Sequence, residues 1–291
     1  MKAGTGLPPV GLLYRETRAA MPLLELAHAA DVRGFNCLVV GEHTHIPVSR
    51  DSPWPAGGEL PDEYCEFPDP YVSLAFVAAQ TSLRIATGVA LVAQHDPIAL
   101  AKATATLDHL SGGRLTLGVG FGWNREELAN HGKRFEQRRA ITREYVELMR
   151  VMWRDTEAEY HGEHANIEPS WSWPKPVQPT IPVLLGAQAG ERAFEAIVTW
   201  ADGWLPGASH GKWFTEKLGE LRRRWVDAGR DPSGPIVWPM QEVVDDERLS
   251  IQLERFQMLG VDQIVLDIPT APRDKVLPLL DRYAKALGRR R

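Results

Sequence analysis

The chain has 291 residues, with 33 Lys plus Arg against 38 Asp plus Glu, a formal net charge of −5. That length holds one (β/α)8 barrel of ~250 residues or two ordinary domains, and a mildly acidic balance argues against nucleic acid as the main partner. Hydrophobic residues at 44% and charged residues at 24% describe a soluble globular protein. No run reaches the ~18 uncharged apolar residues of a membrane span. The start of the chain shows no export-signal pattern. The two cysteines are too few for a disulfide framework, so a reduced, cytoplasmic setting is expected. The Arg289–Arg291 tail reads as a solvated end.

Hydrophobic period places a strand at Val10–Tyr14, an amphipathic helix over Thr17–Arg33 and an apolar parallel strand over Phe35–Gly41. Segment His45–Pro68, rich in Pro, Gly and acids, reads as a long loop of the kind that usually carries function. Helices start at Asp69–Pro70 and Asp96–Pro97: Asp accepts backbone N–H groups as N-cap, and Pro tolerates the first helical position. Strand Arg84–Leu91 lies between them. The second helix runs to Leu110, where Ser111-Gly112-Gly113 offers a left-handed exit, and strand Leu115–Val119 follows.

Helices are then expected over Glu126–His131 and Arg138–Trp153. A small hairpin over Glu157–Glu168 turns near Gly162, and a Pro- and Trp-rich linker covers Pro169–Pro182. The alternation resumes with strand Val183–Leu185, helix Glu191–Trp200, strand Gly203–Pro206, helix Phe214–Ala228 and strand Ile236–Met240. Helix Glu247–Leu259, strand Gln263–Ile268 and helix Lys275–Leu287 complete it. Eight strands, each followed by a helix and with no break in composition, predict a single α/β domain over residues 1–291. It is a closed (β/α)8 (TIM) barrel with a long loop after strand 2 and a hairpin insertion before strand 5.

Active sites of such barrels lie at the carboxyl ends of the strands. The second strand leaves through Gly41-Glu42-His43-Thr44-His45, where a His suits acid/base work, a hydrogen bond to a ligand ring, or a structural place at the rim. In Thr116-Leu117-Gly118-Val119-Gly120-Phe121-Gly122 a period of two puts Thr116 and the three glycines on one face. A glycine file gives a strand no packing, so it marks close approach of a flat ligand or of backbone, or a tapering interior. Gly88, inside Thr87-Gly88-Val89-Ala90-Leu91, suggests a bulge. The fifth strand exits into Gly186-Ala187-Gln188-Ala189-Gly190, either an ordinary turn or a phosphate site on free N–H groups at a helix start. Asp267 closes the eighth strand as a cap for the next turn. Trp123 and Asn124 either wall the pocket or begin the next helix. His161-Gly162-Glu163-His164 reads as a solvated hairpin tip.

The run Leu107-Asp108-His109-Leu110-Ser111-Gly112-Gly113-Arg114-Leu115-Thr116-Leu117-Gly118-Val119-Gly120-Phe121-Gly122-Trp123 resembles the luciferase-like monooxygenase superfamily, and most closely its branch that uses the deazaflavin coenzyme F420. Glu42-His43, Asp96-Pro97, Gly186 with its small followers, and Ala201-Asp202-Gly203-Trp204-Leu205-Pro206 fall where that family has counterparts, and the likeness spans roughly residues 10–270. The resemblance implies a tricyclic ring over the strand ends, with Glu42, Gly88, Val89, Ala90, Gly118, Gly120, Gly122 and Trp123 around it. It also implies proton transfer by His43, a non-proline cis peptide at Gly88–Val89, and the coenzyme phosphate on Gly186, Ala187, Gln188 and Ala189.

The implied activity is hydride transfer between F420 and a small organic substrate held under the Thr44–Pro68 loop, with Trp54, Tyr64 and Phe67 as aromatic contacts. A homodimer is one expected assembly. Sugar-phosphate dehydrogenases of the family carry a catalytic Glu directly after the glycine file; this chain has Trp123. Neither Glu126 nor Glu127, a turn later, is assigned that role. Rival readings are an FMN-dependent monooxygenase of the same family, a metal-dependent hydrolase using His43-Thr44-His45, and a coenzyme-binding protein without catalysis. The metal reading lacks further ligands at later strand ends, so no metal is expected.

Overall fold

The computed structural model describes residues 7–207, 209, 211–242 and 245–288; the Arg289–Arg291 tail lies outside them. The first half of the chain runs β1 (Val10–Tyr14), α1 (Leu23–Val32), β2 (Cys37–Val40), α2 (Pro70–Gln80), β3 (Arg84–Ala90), α3 (Pro97–Ser111), β4 (Leu115–Val119), α4 (Arg125–Asn130) and α5 (Arg138–Arg154). Then come β5 (Ala158–His161), β6 (Asn166–Ser170), β7 (Val183–Leu185), α6 (Glu191–Thr199), β8 (Gly203–Trp204), α7 (Gly211–Asp227), β9 (Ile236–Val237), β10 (Met240–Glu242), α8 (Asp246–Leu259), β11 (Ile264–Asp267) and α9 (Arg273–Ala286). β5 and β6 form the expected antiparallel hairpin.

The remaining strands make one parallel sheet in the order β10-β11-β1-β2-β3-β4-β7-β8-β9. Its two ends are consecutive pieces of one stretch of chain, broken at Trp238–Pro239. β9 pairs with β8, whereas β10 pairs with β11. Trp238 N donates to Trp204 O at 3.0 Å on one side, and Val265 N donates to Pro239 O at 3.0 Å on the other. Pro239 itself has no N–H to give. The sheet therefore closes, and the described residues form the eight staves of a barrel.

Alternation sorts the strand residues as their period dictates. Leu13, Cys37, Val39, Ala86, Leu184, Leu205, Trp238 and Val265 cluster inside the barrel. Leu12, Leu38, Leu117, Val119 and Leu266 face outward and join the helices in the larger core.

The Asp–Pro signals hold. Asp69 accepts from Val72 N and Asp96 from Ala99 N, each at 2.8 Å, and Gly112 ends α3 at φ 69°. The first helix is shorter than the period suggests. Thr17–Ala20 is a turn and α1 begins only after Pro22, which has extended backbone. Two polar residues of the Asp108–Trp123 run act as braces. Buried Asp108 accepts from Val177 N (2.9 Å), Gln178 N (3.1 Å) and Gln178 Nε2 (2.7 Å), pinning the linker before β7. Arg114 donates to Ala78 O, Thr81 O, Leu83 O and Ser111 O at 2.6–2.9 Å, satisfying carbonyls around the ends of α2 and α3.

Candidate active site

A cavity of about 470 Å³ opens at the carboxyl ends of the strands. Its floor is built around the β3 bulge. The Gly88–Val89 peptide is cis, as the resemblance implied, and the β3–β4 register shifts between Thr87 and Ala90. The bulge directs Val89 between two glycines: a Cβ on Gly120 or on Gly186 would collide with its side chain. These glycines are bare because Val89 occupies the space beside them, and Val89, Gly120 and Gly186 together line the cavity.

Gly118 corrects the expectation of an open three-glycine track. It lies one layer deeper, where a Cβ would strike Thr87 O and come within 2.7 Å of Leu205 Cδ2. Here the tapering interior wins, and Gly118 does not line the cavity. Gly122, at φ 74°, does, as do Gly88 and Trp123. Ala90 also leaves the wall. Its side chain is fully buried in the outer core, and its carbonyl accepts from Gly120 N at 2.9 Å.

His43 is fixed from two sides. Its Nδ1 lies 2.9 Å from Oε2 of Glu127, a residue with no solvent exposure, and Glu127 Oε1 accepts from Thr44 N at 3.2 Å. A carboxylate only accepts, so Nδ1 carries the proton, and Nε2 is left without a partner among the described residues. Glu127 is presented from the first turn of α4, whose N-cap Asn124 accepts from Glu127 N at 3.0 Å. Around the imidazole stand Tyr64 (centroids 5.4 Å apart), Trp123 (5.7 Å, edge-on) and Phe67 (6.0 Å).

Glu42 also lines the cavity, with its carboxylate already engaged. Its carboxylate accepts from Leu91 N at 2.5 Å and from His95 Nε2 at 2.7 Å, tying the β2 exit to the segment after β3. Burial pulls the His95 imidazole toward neutrality, but the Glu42 hydrogen bond and charge outweigh it and raise its pKa. His45 diverges from His43. Its Nδ1 lies 2.9 Å from Thr44 Oγ1 and its Nε2 2.8 Å from Asn130 Nδ2, so the His-x-His pair does not converge on one point.

The long loop is fastened to the barrel. Asp51 N donates to Glu126 Oε1 and Arg125 N to Ser52 Oγ, each at 2.9 Å. Trp54 packs against Tyr64 at 6.1 Å, behind the cavity wall. At the fifth-strand exit Gly186, Ala187 and Gln188 line the cavity; Ala189 does not. Ala187 O accepts from Trp204 Nε1 at 2.8 Å. The N–H groups of Ala187, Gln188 and Ala189 meet no acceptor among the described residues.

Sequence reasoning missed three arginines of the wall. Arg15, just after β1, donates to both Asp267 oxygens at 2.6 and 2.8 Å, which gives Asp267 an ion-pair role in place of the expected turn cap. Arg138 and Arg139 open α5 on the opposite rim. Two adjacent cations at a helix start oppose its dipole, a signal the sequence already carried.

A closed barrel with a preformed cavity at its strand ends, holding an oriented His beside a floor of Val89 and flanking glycines, is the architecture of a ligand-transforming (β/α)8 enzyme. The model of the luciferase-like monooxygenase family matches residues 5–253. The chain belongs to this family, whose oxidoreductases depend on F420 or flavin. It is 43% identical over 281 residues to an uncharacterized protein of Mycobacterium tuberculosis (strain ATCC 25618 / H37Rv), covering 95% of this chain and 97% of that protein. An F420-dependent glucose-6-phosphate dehydrogenase of Segniliparus rotundus is 30% identical over 226 residues, 73% of this chain and 61% of the relative. In fold the chain is similar to an F420-dependent secondary alcohol dehydrogenase solved with an F420-acetone adduct, with TM-score 0.74 at 17% identity over 98% of this chain and 99% of that one. Among the described residues no helix is long and apolar enough to cross a membrane.

Proposed function

We propose that the protein is an oxidoreductase that takes the deazaflavin F420 at its strand-end cavity and moves a hydride to or from a small organic substrate. The observation that carries this reading is His43. A buried carboxylate orients it, its Nε2 is unpartnered, and it stands beside a floor of Val89 flanked by two glycines. When bound, the coenzyme supplies the redox chemistry. The residues present fit such a group. Val89 with the partly exposed backbone of Gly122 and Gly186 offers a flat support to a planar ring, and the unsatisfied N–H groups of Ala187–Ala189 fit a phosphate. The relative named as F420-dependent supports the deazaflavin over FMN.

The chain's own residues position and manage the proton. Glu127 fixes the imidazole with Nε2 toward the cavity and stabilises the ring when it is protonated, as an orienting carboxylate does. His43 Nε2 then accepts a proton from, or returns one to, the substrate group beside the hydride centre. Tyr64, Phe67 and Trp123 keep water from that proton. Trp123 stands where sugar-phosphate dehydrogenases of the family hold a Glu, so this position supplies no carboxylate for their acid/base scheme.

The test is a pair of titrations following quenching of coenzyme fluorescence, F420 against FMN, with wild type and His43→Ala, followed by turnover assays of both proteins against a panel of small organic substrates. Tight F420 binding by both proteins, with turnover lost only in His43→Ala, is expected. Preference for FMN overturns the coenzyme assignment, and unchanged turnover in His43→Ala overturns the proton role.

A further inference from the structure

The two sides of the cavity present different polar groups. Arg15 follows β1, whereas Gly186, Ala187 and Gln188 follow β7. The order β1-β2-β3-β4-β7 sets these strands four places apart, on opposite sides of a barrel of eight. The β7 side offers backbone N–H groups that meet no acceptor among the described residues. On the β1 side the cation is already engaged. Arg15 Nη1 and Nη2 donate to the two Asp267 oxygens at 2.6 and 2.8 Å, and Glu63 Oε1 lies 3.8 Å from Nε. Neither carboxylate lines the cavity, so both hold the guanidinium from behind. One cation against two carboxylates leaves a net negative group. Each Nη nevertheless keeps a second N–H, which can serve a neutral oxygen.

The wall next to Arg15 is aromatic. Tyr64, Phe67 and Trp123 line the cavity beside His43, each only partly buried. Tyr64 and Phe67 stand 5.1 Å apart with their planes at 34°, and Trp54 braces Tyr64 from outside the wall. Tyr64 is within electrostatic reach of Arg15. Its hydroxyl and the Trp123 Nε1 make no hydrogen bond among the described residues. Such faces gain by covering an apolar ring. An anion entering here would give up its water with no free cation to replace it, and would meet the two carboxylates. We propose that the Arg15–Asp267–Glu63 cluster is a charge filter that fixes the substrate class. The substrate is an uncharged molecule with an aromatic or alicyclic ring, whose neutral oxygen takes the donors of this wall. This rests on the oxidoreductase reading above and deepens it: carboxylate- and phosphate-bearing substrates are refused on the β1 side.

The experiment measures binding of 2-naphthamide and 2-naphthoate, a neutral and an anionic head on one flat ring, by calorimetry at low and high salt. Each protein is titrated both free and saturated with F420, so binding is read apart from turnover. The proteins are wild type, Asp267→Asn, Glu63→Gln and the double variant Arg15→Gln/Asp267→Asn. Wild type is expected to bind the amide about tenfold tighter than the carboxylate. Asp267→Asn releases Arg15 and is expected to raise carboxylate affinity about tenfold, the worth of one charge-assisted contact, with the gain shrinking as salt rises. Glu63→Gln, in the short helical turn Asp62–Cys65, leaves the Asp267 pair intact. It is expected to give a smaller gain, which decides the point if Asp267→Asn does not fold. The double variant is expected to hold the carboxylate as weakly as wild type does. Equal binding of the two probes by wild type, failure of both probes, absence of gain in the single variants, or a gain that persists in the double variant overturns the filter. F420 binding in the same samples then leaves the coenzyme reading standing. Failure of F420 to bind overturns that reading by itself, and the titrations of the free protein still decide the filter.

Discussion

His43 and Glu127, 84 residues apart in sequence, meet through a 2.9 Å contact between Nδ1 and Oε2 in which the carboxylate is wholly buried. Glu127→Gln keeps the shape and removes the charge. Its amide can still accept through oxygen but no longer stabilises a protonated imidazole. We expect kcat to fall about 10- to 100-fold, the range usual for losing a partner that orients a functional histidine, with little change in coenzyme Kd. A shift in the pH–rate profile marks the charge effect, since a packing defect would lower the plateau without moving the profile.

Gly120→Ala should destabilise the protein by ~1–3 kcal/mol, the usual cost of overpacking, because the added methyl runs into Val89. Val89→Ala should restore part of that loss in the double variant. A chemical-denaturation cycle over the four proteins measures the coupling. Strict additivity would show that Gly120 is needed for some other reason.

The His95–Glu42 pair predicts a pH dependence. The folded-state pKa of His95 is raised, so its ion pair stabilises the fold fully below the unfolded value near 6.5 and is lost as pH climbs through the higher folded value. Thermal melts of wild type and His95→Gln across pH 5 to 9 should show the largest gap in Tm at the acid end and convergence toward the alkaline end. A gap that widens with pH would contradict the assignment.

Asp108→Ala and Arg114→Ala should each cost roughly 2–4 kcal/mol, since each strands several partly or fully buried backbone groups. Coenzyme affinity per folded molecule should stay within about twofold, an energy change under ~0.5 kcal/mol. Urea denaturation and titration of the same preparations separate the two. A large loss of affinity at full folding would move these residues from bracing to binding.

Much of this was legible along the chain because the signals are local. Asp69 and Asp96 announce their helices by capping, Gly112 ends one, and the period of two tells inward from outward in β4. What failed needed three dimensions. Alternation gives the face of Gly118 and not its depth, so a residue under Leu205 looked like one at the mouth. The seventh stave looked continuous because its break at Trp238–Pro239 arises from pairing with two different neighbours. Glu127 could not be assigned to His43 while the contact joining them was tertiary. Arg15, Arg138 and Arg139 carry no local motif, and only the closed barrel brings the β1 exit and the start of α5 to the same cavity.

The fastening of the loop by Glu126 and Ser52 has a kinetic meaning. If the cavity takes a small molecule as proposed, these bonds lower the ordering left for the entrance on binding. Among ligands that share that proposed entrance, differences in affinity are then expected mainly in the rates of departure.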